Sequence, residues 1–217
     1  MEKAKRYLVF LVGLFINSLG VSLITRADLG TAPISAIPYV LSLHFPLTLG
    51  GFTIAFSLFL VLLQLILLRR RFRAEDLLQI PISVAFGVFI DLTMELLWFV
   101  APQHYAARAV FLLLGCGVLA LGVWLEVLAN VAMLPGESFV RAVVTVWRTD
   151  FGVTKVCFDV AMTLGAAALS FVLSGQLHGV REGTLAAALL VASSPASSAV
   201  SWPGQARACL AERIDRA

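Results

Sequence analysis

Charge is what this chain has least of. Of its 217 residues 13 % are Asp, Glu, Lys or Arg, against about a quarter in a soluble domain, while 60 % are apolar or aromatic and the mean hydropathy is +0.94. Such a composition excludes a soluble globular domain and leaves an integral membrane protein. Cysteine is nearly as sparse: Cys116, Cys157 and Cys209 stand apart, with no C-x-x-C and no histidine at ligand spacing, which argues against a disulfide framework or a zinc site. His44, His104 and His178 fall near segment ends without metal-ligand companions. Also missing are the G-x-S-x-G elbow, the H-E-x-x-H pair and a phosphate-cradling glycine loop. Neither enzymatic activity nor a cofactor or metal is therefore expected. The net charge of +3 comes mainly from arginines at segment ends, which report orientation in a bilayer rather than nucleic-acid binding.

What the chain does have is long apolar runs. Tyr7 to Thr25, Leu49 to Leu68 and Ala109 to Glu126 approach or reach the ~20 residues that cross a bilayer. The first run follows basic residues but is long and lacks a clear small-residue cleavage site, so it is expected to be retained rather than removed as a signal peptide.

Beneath the apolar runs lies a repeat. Shifting the chain by 102 residues superposes "GLFINSLGVSLITRADLGTAP" on "GCGVLALGVWLEVLANVAMLP". Gly13 then falls on Gly115, Gly20 on Gly122, Ala27 on Ala129, Asp28 on Asn130, Pro33 on Pro135 and, farther on, Gly50 on Gly152. Apolar bias alone does not align glycine, proline and Asp/Asn in one register. Each half, 7–100 and 108–203, reads as a long helix, a short proline-containing segment, and two more long helices. The short segments are "GTAPISAIPYVLSLHF" and "MLPGESFVRAVVTVW". Proline removes a donor and disfavours helix before it, so each is expected to be a re-entrant or broken helix.

Charge sets the topology. Lys3, Lys5 and Arg6 precede the first helix and Arg69, Arg70, Arg71 and Arg73 follow the second, and the positive-inside rule puts both clusters in the cytoplasm. Two crossings between them satisfy this, with 30–45 dipping in and returning. Helices 77–100, 108–127, 153–173 and 183–200 then alternate, leaving a polar cytoplasmic tail at 204–217. The expected fold is thus all-α and polytopic, with about six transmembrane helices in two inverted-topology repeats and both termini cytoplasmic, in a bacterial inner membrane. The rival arrangement makes each short segment a full span, with eight helices and parallel halves, but it places the densest arginine cluster outside.

Polar residues within these spans cost about 2.5–3.5 kcal/mol each on insertion scales and mark cavities or partners. They come at i,i+4 spacing: Glu126 with Asn130, Glu137 with Arg141, Lys155 with Asp159, and Asp91 with Glu95. Glu137–Arg141 and Lys155–Asp159 suit either intrahelical neutralisation or a solute or ion site. Asp91 has only a like-charged neighbour, so it is open to pairing across the halves or to carrying a proton. Asn17, in mid-helix, either joins helices or lines a site, and the glycines at seven-residue spacing make stripes for close helix contact that also permit a homodimer.

"GVSLITRADLGTAPISAIPYVLS", "LEVLANVAMLPGESFVRAV", "FGVTKVCFDV" and "VREGTLAAALLV" resemble the bacterial YczE/YyaS/YitT-type integral membrane proteins. The resemblance implies a multi-pass inner-membrane protein, some of whose relatives are labelled putative transporters. It places recurring Pro, Gly and acidic positions on Pro135, Gly136 and Glu137, and a basic–acidic pair on Lys155 and Asp159. The serine- and proline-bearing stretch after Val191 departs from it. The function expected is a small secondary transporter or exporter of an anionic or zwitterionic solute, with a coupling proton or cation. Its donors would be the half-helix starts at Pro33 to Ser35 and Pro135 to Ser138, supported by Arg141 and Lys155. Asp28, Asp91, Glu126, Asn130, Glu137 and Asp159 would complete the site. Alternatives are a binding subunit that needs an energising partner, and a scaffold or regulatory membrane protein.

Overall fold

The computed structural model describes residues 2–69 and 74–175. Seven α-helices occupy them: α1 (Glu2–Arg26), α2 (Pro33–His44), α3 (Leu49–Leu68), α4 (Gln79–Leu96), α5 (Tyr105–Ala129), α6 (Pro135–Trp147) and α7 (Phe151–Ser174). A 3-10 turn, Ala74–Leu78, leads into α4, and the described residues contain no strand. Among the described residues five stretches are long and apolar enough to cross a membrane, Ala4–Arg26, Leu49–Leu68, Asp76–Leu96, Tyr105–Ala129 and Phe151–Ser174. The protein is an all-α, multi-pass membrane protein. Leu8, Leu62, Val88, Leu113 and Leu164 lie exposed on these helices, where lipid rather than water meets them. The expected last helix at 183–200 and the tail lie outside the described residues.

The two short helices set the architecture. With 12 and 13 residues, α2 and α6 reach about 18 and 20 Å at 1.5 Å per residue, well short of a hydrocarbon core of about 30 Å. The eight-span arrangement is therefore excluded. Both half-helices start alike. The preceding long helix stops at a left-handed residue, Asp28 (φ 55°) or Asn130 (φ 51°), a conformation that Asp and Asn tolerate. Proline then occupies the first turn, at Pro33 and Pro135, where no donor is lost. The helices that follow also start alike. Thr48 Oγ1 accepts from Gly51 N at 3.0 Å and Asp150 Oδ1 accepts from Val153 N at 3.1 Å, side-chain caps one repeat shift apart.

Within α2 the helix runs unbroken through its second proline. Pro38 lies buried inside the helix, and neighbouring Ala36 and Val40 pack on Ala166 of α7. Tertiary burial thus offsets the roughly 3 kcal/mol of an interior proline.

α1 and α5 form the central crossing, and glycine makes it close. A Cβ on Gly13 would meet Glu126 N at 3.0 Å, one on Gly20 would meet Leu119 N at 2.5 Å, one on Gly115 Ile24 Cγ1 at 2.7 Å, and one on Gly122 Asn17 N at 2.5 Å. As the α1 number rises the α5 number falls by the same amount, so the helices run antiparallel. At the repeat shift Gly115 corresponds to Gly13 and Glu126 to Ile24. Under that shift the contact Gly13–Glu126 maps onto Ile24–Gly115, and Gly20–Leu119 onto Asn17–Gly122. Around this crossing the remaining elements exchange partners: α2 seats on α7 and α6 on α3, the latter through Leu60, Val140 and Val144, with Phe158 of α7 packed in the same cluster.

Candidate functional site

The exchange brings the starts of the two half-helices together. Neither Ala32 before α2 nor Leu134 before α6 supplies a side-chain cap. Each start therefore presents the positive end of its dipole without a cap from the preceding side chain, the Ser35 N–H being already bonded to the Ala32 carbonyl at 2.9 Å. The Ile34 side chain fills the space that a Cβ at Gly136 would need, so the second residues of α2 and α6 are in contact. One position on, Ser35 and Glu137 are repeat equivalents. Ser35 is 1 % exposed and its Oγ has no hydrogen-bond partner. Glu137 is half-buried.

Buried amides and charges surround this meeting point. Gln64 Nε2 of α3 donates to the Pro135 carbonyl at 3.0 Å, and Gln79 Nε2 of α4 donates to Ser138 Oγ at 2.9 Å. Gln79 is 3 % exposed, yet its Oε1 has no partner, nor does Asn130 Oδ1. Lys155 Nζ reaches Asp159 Oδ1 at 2.8 Å, the intrahelical pair that the spacing predicts. Arg141, on the same helix as Glu137, is exposed and sets its Nη1 against the Met133 sulfur at 3.8 Å. Glu126, 6 % exposed, accepts from Asn17 Nδ2 at 2.9 Å across the central crossing. Asn17 therefore joins helices α1 and α5.

Buried polar atoms without partners are rare in folded proteins. Ser35 Oγ, Gln79 Oε1 and Asn130 Oδ1 fall on the two half-helix starts or on elements touching them. A small polar solute would meet hydroxyl and helix-end donors beside amide acceptors, a carboxylate and an ammonium, which is the inventory for an anionic or zwitterionic group.

Two expected site residues lie elsewhere, at the end of the bundle where α1 and α4 finish. Asp28 Oδ2 pairs with Arg108 Nη1 at 2.9 Å. Asp91 accepts from Thr48 Oγ1 at 2.7 Å and from Gly50 N at 2.8 Å, holding the first turn of α3 by charge and dipole. Its partner is thus a helix start in its own half, not a group of the other half. That bond needs glycine, since a Cβ at Gly50 would collide with the Gly87 carbonyl of α4. Sequence reasoning did not single out Gln64 and Gln79. The signal for Gln64 is a lone amide inside "LFLVLLQLILL", since an unsolvated amide there requires a partner.

A family model described as "Family of unknown function (DUF6198)" matches residues 4–194. The uncharacterized protein YyaS of Bacillus subtilis (strain 168) is 33 % identical over 87 residues, which are 40 % of this chain and 42 % of that protein. The match thus spans under half the length of the relative. No solved structure matches the chain.

Proposed function

The chain belongs to the DUF6198 family, and within a family of unknown function we propose that it is a secondary transporter or exporter of a small anionic or zwitterionic solute. The observation that carries this reading is the contact of Ile34 with Gly136, which joins two uncapped half-helix starts amid polar atoms that have no partner. Paired discontinuous helices whose N-termini converge on one place suit solute capture. The solute's anionic group would take the N–H groups and Ser35, while its cationic group, where it has one, would take Gln79 Oε1 and Glu137. Glu137, Asp159 and Glu126 are the acids to which a coupling proton or cation would bind.

The halves are read as inverted repeats, 7–100 and 108–203. In support, α1 and α5 run antiparallel through contacts that match under the repeat shift, and each half-helix seats on the other half. Orientation follows from charge. Lys3, Lys5, Arg6 and Arg148 lie toward the end where α1 starts and α6 finishes, whereas Arg26 and Arg108 lie at the other. The positive-inside rule then places the N-terminus in the cytoplasm of a bacterial cell. Rocking of the α1–α5 crossing would expose the half-helix starts to each side in turn.

The test is uptake by liposomes holding the purified protein under an imposed proton gradient, with amino acids and small carboxylates as solutes. We expect gradient-dependent uptake of at least one, abolished in Glu137→Gln and Asp159→Asn and retained in Gly117→Ala, whose position meets no neighbour. Uptake unchanged in both acid variants would sink the site assignment, and its absence for every solute would sink the function.

A further inference from the structure

Where α1, α2 and α4 end and α3 and α5 begin, the bundle opens into a cleft of about 480 Å³. Three of its lining residues are charged, Arg26, Asp28 and Arg108, so two cations and one anion leave it with a net charge of one positive. Tyr39, Ser42 and Thr48 add hydroxyls to its wall. Backbone carbonyls fix both arginines: Arg26 Nη2 donates to Met94 O at 2.7 Å and Arg108 Nε donates to Pro102 O at 3.1 Å. A guanidinium carries five N–H donors in a rigid fork, and one carbonyl bond orients it while leaving others to spare. Arg26 Nε is buried and has no partner, whereas Arg108 Nη1 is engaged by Asp28 at 2.9 Å. The Asp28 side chain is 58 % exposed, and an ion pair so open to water holds weakly.

We infer that this cleft is a vestibular site for a small carboxylate-bearing solute, which Arg26 and Arg108 hold together and which displaces Asp28 from Arg108. Asp28 in this arrangement is the resident stand-in: its carboxylate already shows the bond that an incoming carboxylate would make. The arginines are seated on the last turn of α1 and the first turn of α5, not on the starts of α2 and α6. Binding here therefore requires no passage between the half-helices, and the two readings fail separately.

The test uses the full chain in detergent micelles, with Cys116, Cys157 and Cys209 replaced by serine and a reporter at Gln103→Cys, a lining position. Negatively and positively charged methanethiosulfonates are compared with and without succinate. The negatively charged reagent is expected to react faster, and succinate to slow it. Asp28→Asn should lower the succinate concentration for half-protection roughly two- to fivefold, the effect of releasing an exposed ion pair. It keeps a residue type suited to the left-handed position, as Asn130 does in the other half. Arg108→Gln and Arg26→Gln should each abolish protection, while a reporter at Thr149→Cys, at the opposite end, should be indifferent to succinate. Equal rates for the two reagents with no protection by succinate would overturn the site. Protection by inorganic phosphate but not by succinate would overturn the carboxylate assignment.

Discussion

The closest approach between α1 and α5 makes a sharp prediction about one methyl group. In Gly20→Ala the added Cβ would lie 2.5 Å from Leu119 N, 2.6 Å from its Cα and 2.7 Å from its Cβ, where ordinary contacts begin near 3.4 Å. All three atoms belong to the Leu119 backbone or its first side-chain carbon, so no rotamer change relieves the overlap. The helices must part by something approaching 1 Å, and dispersion contacts along the crossing are lost with the separation. Overpacking of this kind costs about 1–3 kcal/mol, against which alanine returns up to ~1 kcal/mol of helix propensity. The net expectation is a loss of about 1–2 kcal/mol. Gly117→Ala is the internal control, because nothing lies within 4 Å of its Cβ position, and it should be neutral or slightly stabilising. Gly122→Ala, whose Cβ would meet Asn17 N at 2.5 Å, should match Gly20→Ala. The double variant should lose less than the sum of both, since the helices need parting only once. The assay is thermal unfolding of the purified protein in one detergent, followed by the fraction that stays monodisperse. Gly20→Ala melting with Gly117→Ala would refute the close crossing.

Other substitutions probe the polar contacts. Asp91→Ala removes the bonds to Thr48 and Gly50 N and should cost about 1–2 kcal/mol by loss of the α3 cap, with Asp91→Asn recovering part of it in the same melting assay. Asn17→Ala leaves Glu126 buried without its hydrogen bond and should cost about 1–3 kcal/mol, whereas Glu126→Gln should be far milder. Gly136→Ala collides with Ile34 and should depress both melting temperature and uptake, and Ile34→Ala in the same chain should restore the melting temperature. Ser35→Ala breaks no bond within the protein and should leave stability within ~0.5 kcal/mol while reducing binding of any solute that stabilises the wild type, read as a smaller ligand-induced thermal shift.

Local chemistry explains how much of this was legible in the chain. Proline beside polar residues marked the starts of α2 and α6, because proline at the first turn and an uncapped start are properties of a few adjacent residues. The glycine stripes marked the α1–α5 crossing, because only glycine permits backbones so close. Long-range pairing left no local trace. Nothing in "LITRAD" tells that Asp28 takes Arg108 rather than a solute, and nothing near Asp91 tells that it holds the start of α3. Pro38 illustrates the same point: its penalty is local, while the burial that outweighs it comes from α7, far along the chain. Gln64 and Gln79 were missed because a glutamine without a charged companion leaves no spacing pattern, although its desolvation cost alone demands a partner.

The central claim is that water and solute reach the meeting point of α2 and α6 from both faces of the membrane. The measurement that tests it most directly is alkylation of Ser35→Cys, otherwise cysteine-free, by a membrane-impermeant thiol reagent in right-side-out and in inverted vesicles, with Thr149→Cys and Leu47→Cys as controls at the two ends. Ser35 is 1 % exposed, so a static core would shield it completely. Alternating access predicts labelling of Ser35→Cys in both kinds of vesicle, slower than each control on its own face. If each control is labelled on its own face while Ser35→Cys stays unlabelled from both, the half-helices meet only to pack and the transport account is contradicted.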